Sequence, residues 1–266
     1  MRNVLGRSAA MLVVLGGIAG TGTAGMPEGA VWSQPETVPT AEELFARHVR
    51  EIGGAEALAR LKNKVIVGTM QIPSLKVEGI LNIWAVAPDA LRMRMEIPGR
   101  GTFEFGFDGQ NGWQTSLEGK SFALTGPALD AMIEDADFLG EANYTKRYTT
   151  LGIPEATTFN ERLAYRVPAV TTRGREIQVY FDAQTGLNLG VMLNRRNDEG
   201  KEVGVIVRLA DYKEFNGVRH PTKVTIKEGE DYEEIRTYTR VRFDVEPAPT
   251  IKAPATLLPP PSVGGG

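Results

Sequence analysis

Apolar residues recur every three to four positions early in the chain, at Leu44, Phe45, Val49 and Ile52, and Thr40 stands three residues before Glu43. That pairing is a capping box and predicts a helix that begins just after Thr40 and ends at Gly53-Gly54. A short second helix is predicted over 55–61. From Lys64 onward the period changes to two. Leu91, Met93, Met95 and Ile97 alternate with Arg92, Arg94 and Glu96, and Phe103, Phe105 and Phe107 alternate with Thr102, Glu104 and Gly106, as in half-buried strands. A three-residue Gly99-Arg100-Gly101 loop pairs Ile97 with Phe103, Met95 with Phe105 and Met93 with Phe107, which puts the methionines and phenylalanines on one face.

The same parity rule pairs Phe181 with Leu187, Val179 with Leu189 and Ile177 with Val191, while the Asn216-Gly217 turn aligns Leu209 with Val224 and Val207 with Ile226. Further strands at 65–72, 77–86, 111–116, 163–170 and 232–243 bring the total to about eleven, nearly all joined by short turns. The pattern predicts an α+β fold: a curved antiparallel sheet curling toward a barrel, with N-terminal helices and one inserted helix laid on it. The insertion falls at 127–139, where Leu129, Met132, Ile133 and Ala136 form an apolar stripe opposite Asp130, Glu134, Asp135 and Asp137, read as a solvated face. Such a helix acts as a plug or a lid. Methionine and phenylalanine at strand spacing are what plain core contains, yet the flexible thioethers of Met93, Met95 and Met132 also suit a wall that adapts to variable apolar guests. Packed core and cavity both remain open.

Composition narrows the function classes. The 266 residues contain no cysteine, which removes disulfides and thiol chemistry, and a formal charge of −3 argues against nucleic acid as a partner. Arg2 and Arg7 precede an apolar run from Ala9 to Leu15, and Gly22-Thr23-Ala24 offers a small-x-small cleavage site, so 1–24 reads as a secretory signal peptide and the protein as periplasmic. Residues 25–39 read as a flexible linker, 40–246 as the folded body and 247–266 as a Pro/Gly-rich disordered tail. His48 and His220 have no metal-ligand spacing to other candidates, and neither is expected to be catalytic. Gly119-Lys120-Ser121 lacks the first glycine of a phosphate loop, and Gly99-x-Gly101 lacks the third glycine of a dinucleotide fingerprint. Ser74, Ser116 and Ser121 lie in no nucleophile elbow, and Arg236, Arg240 and Arg242 read as a solvent-side ion-pair ladder on the last strand. No enzyme activity, cofactor or metal is expected.

The landmarks Ala87-Pro88-Asp89-Ala90-Leu91-Arg92, Pro98, Asp108-Gly109 and Trp113 resemble the periplasmic lipoprotein-carrier and outer-membrane lipoprotein-sorting superfamily typified by LolA and LolB. Tyr180-Phe181-Asp182 with Thr185-Gly186-Leu187, and Asp211-Tyr212 with Asn216-Gly217-Val218 and Pro221, are similar to later landmarks of the same group. The resemblance spans about Thr40 to Phe243; a basic residue commonly precedes the proline where this chain has Ala87, and the carriers need no Pro-rich tail. It implies an incomplete barrel whose apolar interior shelters acyl chains, with the inserted helix as part of the cover and Arg92 matching the arginine after the Pro-Asn/Asp turn. The expected ligand-binding residues are Leu81, Ile83, Trp84, Leu91, Met93, Met95, Phe103, Phe105, Phe107, Met132 and Ile133, with Arg92 for gating or head-group contact. The expected function is a monomeric carrier of a lipid or of lipoprotein acyl chains, peripheral to the membrane at most. The alternative is a cell-envelope scaffold module with a solid core that docks a protein partner through its sheet edge or tail.

Overall fold

The computed structural model describes residues 38–196 and 201–260. The signal peptide, nearly all of the linker and residues 261–266 lie outside them. Helix α1 (Ala41–Glu51) starts at the predicted cap: Glu43 N–H donates to Thr40 Oγ1 (3.2 Å) and Thr40 N–H to Glu43 Oε2 (2.8 Å). Helix α2 (Ala55–Arg60) follows. Then come β1 (Asn63–Ile72), β2 (Val77–Val86), β3 (Ala90–Ile97), β4 (Gly101–Asp108), β5 (Gly112–Thr115) and β6 (Ser121–Ala123). Helices α3 (Gly126–Ala136) and α4 (Tyr144–Arg147) interrupt the strands. The chain closes with β7 (Tyr148–Leu151), β8 (Glu155–Phe159), β9 (Arg162–Thr171), β10 (Glu176–Asp182), β11 (Asn188–Arg196), β12 (Glu202–Phe215), β13 (Val218–Glu228) and β14 (Tyr232–Phe243).

All fourteen strands belong to one antiparallel sheet in the order β6-β5-β4-β3-β2-β1-β14-β13-β12-β11-β10-β9-β7, with β8 also on β9. The sheet does not close into a barrel. The count exceeds the expected eleven because β6, β7 and β8 are three to five residues long, too short for a period of two to register.

Register is where sequence and structure differ most usefully. Leu209↔Val224 and Val207↔Ile226 pair as expected at the Asn-Gly hairpin. In the β3–β4 hairpin the partners are Met95↔Phe103, Met93↔Phe105 and Leu91↔Phe107, two residues from the expected register, because Gly101 pairs with Ile97 and the loop is Pro98-Gly99-Arg100. An even slip preserves parity, so the Met and Phe side chains still share the concave face. In the β10–β11 hairpin Val179 pairs with Val191 rather than Leu189, since the register shifts between Tyr180 and Phe181. Leu189 is the extra residue. It turns to the convex side and packs with Phe159, Ala164 and Tyr180 in a small second core.

A second bulge overturns the arginine ladder. Val67 faces Arg240 but Gly68 faces Tyr238, leaving Thr239 unmatched, so side-chain parity inverts along β14. Arg240 and Arg242 are exposed, whereas Arg236 is 0% exposed and ion-paired with Glu234, itself 3% exposed. The Tyr232 hydroxyl donates to the same carboxylate (2.8 Å).

The main core fills the concave side, where α1 packs toward β10 and β11 and α3 toward β3, β4 and β5. The segment expected to be a disordered tail is instead laid down as far as residue 260. Ala253 N–H donates to Asp108 Oδ2 (3.0 Å), and Leu258 forms a parallel bridge to Phe122, with Leu258 N–H to Ser121 O (2.8 Å) and Ala123 N–H to Leu258 O (2.9 Å). Short β6 would otherwise present unpaired backbone groups to solvent, and the returning chain satisfies them. Truncation after Glu246 is expected to speed exchange of the Ala123 amide by about tenfold or more, the loss of roughly one hydrogen bond, while β1 and β2 amides keep their protection. Hydrogen exchange followed by NMR measures both.

Candidate functional site

Between α1, the 134–141 segment and the inner wall of the sheet lies a cavity of about 180 Å³. Phe45 and His48 reach it from α1, Lys64 and Ile66 from β1, Ile83 and Ala85 from β2, Leu91 from β3, Phe181 from β10, Leu209 from β12, His220 and Val224 from β13, and Tyr238 from β14. Phe45 is fixed there by Phe181, Tyr144 and Tyr148, with ring centroids 4.8, 5.0 and 5.2 Å away. Alternation along β1 sends Lys64, Ile66 and Met70 inward together, so one basic residue stands in an otherwise apolar row.

The cavity has a polar side that the sequence did not announce. Asn188 N–H donates to His48 Nδ1 (3.1 Å), which fixes the proton of the neutral ring on Nε2. His220 Nδ1 lies 2.7 Å from Pro221 O, a pure acceptor, so its Nε2 is left to accept from Lys64 Nζ at 3.4 Å. Burial pulls the pKa of all three groups down. For His48, Glu141, the Gly186 carbonyl dipole and Glu51 oppose the fall without reversing it, and for Lys64 Glu141 does the same. For His220, burial and the neighbouring Lys64 ammonium lower the value from 6.5 to about 3. Both histidines are therefore neutral near pH 7. Burial also lifts the Tyr148 phenol to about 12, so its hydroxyl stays a donor.

Helix α3 covers the cavity and is held on two sides. Leu129 reaches over Gly112 at the β5 end, and Phe138 N–H donates to Pro88 O (3.0 Å). Across the opening, Arg173 and Arg175 of the β9–β10 turn form ion pairs with Asp130 and Glu134. Glu134 is 7% exposed, so the face expected to be solvated carries a buried ionic clasp. Arg147 supports it by donating from Nη2 to Glu134 O (3.2 Å).

Of the expected ligand-binding residues, Ile83 and Leu91 line the cavity. Leu81, Met93, Met95, Phe103, Phe105, Phe107 and Met132 are buried in the packed core, with half-buried Ile133 against it. Trp84 and Arg92 lie on the convex face, as parity dictates: both alternate with inward residues. There the Arg92 guanidinium sits 5.4 Å from the Trp84 ring centre and donates to Glu104 Oε2 (2.6 Å), while Trp113 Nε1–H donates to Glu104 Oε1 (3.3 Å). Trp113 lies so close over Gly106 that a Cβ would stand 2.7 Å from its ring. That array is structural and faces away from the cavity. His48, Lys64 and His220 were the residues to find, and the one signal for Lys64 was its place on an apolar strand face.

No family model matches the sequence, and no curated protein does. Among solved structures, a DUF1329 family protein from Desulfovibrio piger superposes with a TM-score of 0.55 at 11% identity, over 79% of this chain and 95% of that one. A protein described as an outer membrane lipoprotein-sorting domain, from Vibrio parahaemolyticus, gives 0.50 at 11% identity over 77% and 92%. A LolA superfamily protein from Nitrosomonas europaea gives 0.49 at 13% identity over 79% and 96%. The first two share the fold of this chain, an open antiparallel sheet, as the sequence landmarks implied.

The two histidines give a pH dependence of definite sign. Below about 6.5 the unfolded chain takes up protons that the folded rings refuse, so stability falls as pH falls, by roughly 1 kcal/mol per pH unit for each fully shifted ring. Urea unfolding at pH 7.5, 6 and 5 is expected to show this loss before carboxylates titrate. His220→Gln, which keeps a donor toward Pro221 O, is expected to make the slope shallower by about one group's share. A flat profile over that range counts against neutral buried rings.

Proposed function

We propose that the protein is a periplasmic carrier of an acylated, lipid-like ligand, received between the concave wall and α3, and that it performs no covalent chemistry. The observation that carries the reading is the ionic clasp. The helix covering the Met- and Phe-rich face is tied across the open side of the sheet by Asp130–Arg173 and Glu134–Arg175. Such contacts can exchange for water when the helix lifts, and the thioethers beneath can repack around a guest. Burying about 14 methylenes at roughly 0.8 kcal/mol each supplies some 11 kcal/mol gross, enough to offset opening the cover and ordering the chain. The fold shared with a lipoprotein-sorting domain supports the same class of ligand.

A cavity of about 180 Å³ slightly exceeds the roughly 150 Å³ that accepts benzene and falls short of the roughly 300 Å³ at which drug-sized sites begin. The clasped form is thus the resting form, and the bound form has α3 displaced. Native mass spectrometry of gently purified protein is expected to show co-purified lipid, and delipidated protein to take up a fluorescent fatty acid. Glu134→Gln with Arg175→Gln removes the buried pair without stranding either charge, and is expected to raise the uptake rate several-fold. Protein that is always lipid-free and takes up no fatty acid overturns the carrier reading; an unchanged rate in the double variant overturns the clasp.

A further inference from the structure

A wholly apolar ligand leaves the polar side of the cavity without a partner. His48 is 2% exposed, and its Nε2, the nitrogen that carries the proton, has no well-formed hydrogen bond among the described residues, the Gly186 carbonyl acting on the ring from a poorer geometry. Lys64 brings an ammonium to the same cavity, and among the described residues its one hydrogen-bonding neighbour is His220 Nε2 at 3.4 Å. An ammonium has three donors, and at half-buried Lys64 the others find no protein partner among the described residues. Two donors, one of them charged, therefore face a space that holds a small polar group and a few methylenes.

The acids around the cavity do not answer them. Glu134 is paired with Arg175, and Asp137 lies 3.9 Å from Arg147. Asp135 lines the cavity and has an interaction of its own, and Glu141 is exposed at the edge, acting on Lys64 from beyond ion-pair distance. Glu134 and Asp137 are thus matched by arginines of the β9–β10 turn and of α4, and Lys64 on the sheet wall has no acid within ion-pair distance among the described residues.

We infer that the cavity is a head-group site for an acidic amphiphile, in which a carboxylate takes the Lys64 ammonium and the His48 Nε2–H while its chain runs under α3 along the Met and Phe wall. The assignment rests on the carrier function proposed above and names its ligand class. Burial keeps His48 neutral and so a donor, and a bound carboxylate repays the desolvation that lowers the Lys64 pKa.

The test uses the delipidated full chain, with sodium tetradecanoate, tetradecanol and tetradecylamine each displacing the neutral dye Nile red. Tetradecanoate is expected to displace at a concentration about tenfold or more below tetradecanol, the difference a charge-assisted hydrogen bond makes. Lys64→Met keeps the stem's length and removes the charge. It is expected to bring the two ligands within about twofold, chiefly by weakening tetradecanoate, with thermal stability equal or higher. His48 is the poorer target, since it also holds the Asn188 backbone. Equal binding of acid and alcohol by the parent chain, a preference that survives in K64M, or a preference for the amine overturns the head-group site and leaves the carrier function standing. If none of the three displaces the dye, both fall.

Discussion

An antiparallel sheet that curls without closing has no second sheet for its inner face to pack against, and in this chain α1 and α3 must supply that surface. The requirement organises the rest of the molecule. Alternation along β1 to β4 and β9 to β14 puts large apolar side chains inward, and two bulges, at Leu189 in β11 and Thr239 in β14, allow the sheet to bend. Helix α1 fills the trough on the β10–β11 side, anchored where Arg47 donates to Ala183 O and Gln184 O and His48 accepts from Asn188 N–H. Helix α3 fills the other side. What remains between them is the cavity.

The two covers are held by different means. Leu44, Phe45 and Val49 of α1 are buried in the core, and the aromatic group around Phe45 locks the helix in place. Helix α3 buries less, with Met132 and Ala136 buried and Leu129 and Ile133 only half-buried, and it depends on arginines from a distant turn. An exposed pair such as Asp130–Arg173 is worth about 0–1 kcal/mol, whereas removing one partner of a buried pair such as Glu134–Arg175 costs about 3–5 kcal/mol. The clasp is therefore specific in position and modest in net energy. One cover is a fixture, and the other is the one that the proposed carrier lifts.

Local signals were legible in the sequence and long-range polar matches were not. The capping box at Thr40, the Asn216-Gly217 register and the shared face of Met93, Met95, Phe103 and Phe105 all follow from rules acting over a few residues. Parity survived a wrong loop assignment at Gly99 because the slip was even. It failed at Arg236, where one extra residue reversed the face and a presumed surface charge became a buried ion pair. Trp84 and Arg92 stand apart from the cavity for another reason: strict alternation places them on the face opposite Ile83 and Leu91, and the family landmark alone pointed to Arg92. The partners of Glu134 and Lys64 lie 41 and 156 residues away in the chain, and no periodicity encodes such a meeting. The tail misled because Pro-rich composition describes a segment that cannot make its own core, not one that finds an edge to cover.

The size and the lining of the cavity constrain one another. A lipid carrier with a permanently open trough would expose a large apolar surface between loads and invite aggregation. Here the trough is closed onto its own side chains, and the space left is small, with Lys64 and His220 on the sheet wall, His48 on α1 and the acids on the 134–141 segment. Water can occupy a polar space of this size while the protein is unloaded, solvating the ammonium at little cost. A guest that brings only hydrocarbon must strip that water and return nothing. In the carrier proposed above, a guest that brings an anion replaces it and then gains the apolar wall as α3 lifts. On that proposal the polar residues set which amphiphiles enter, and the clasp sets when.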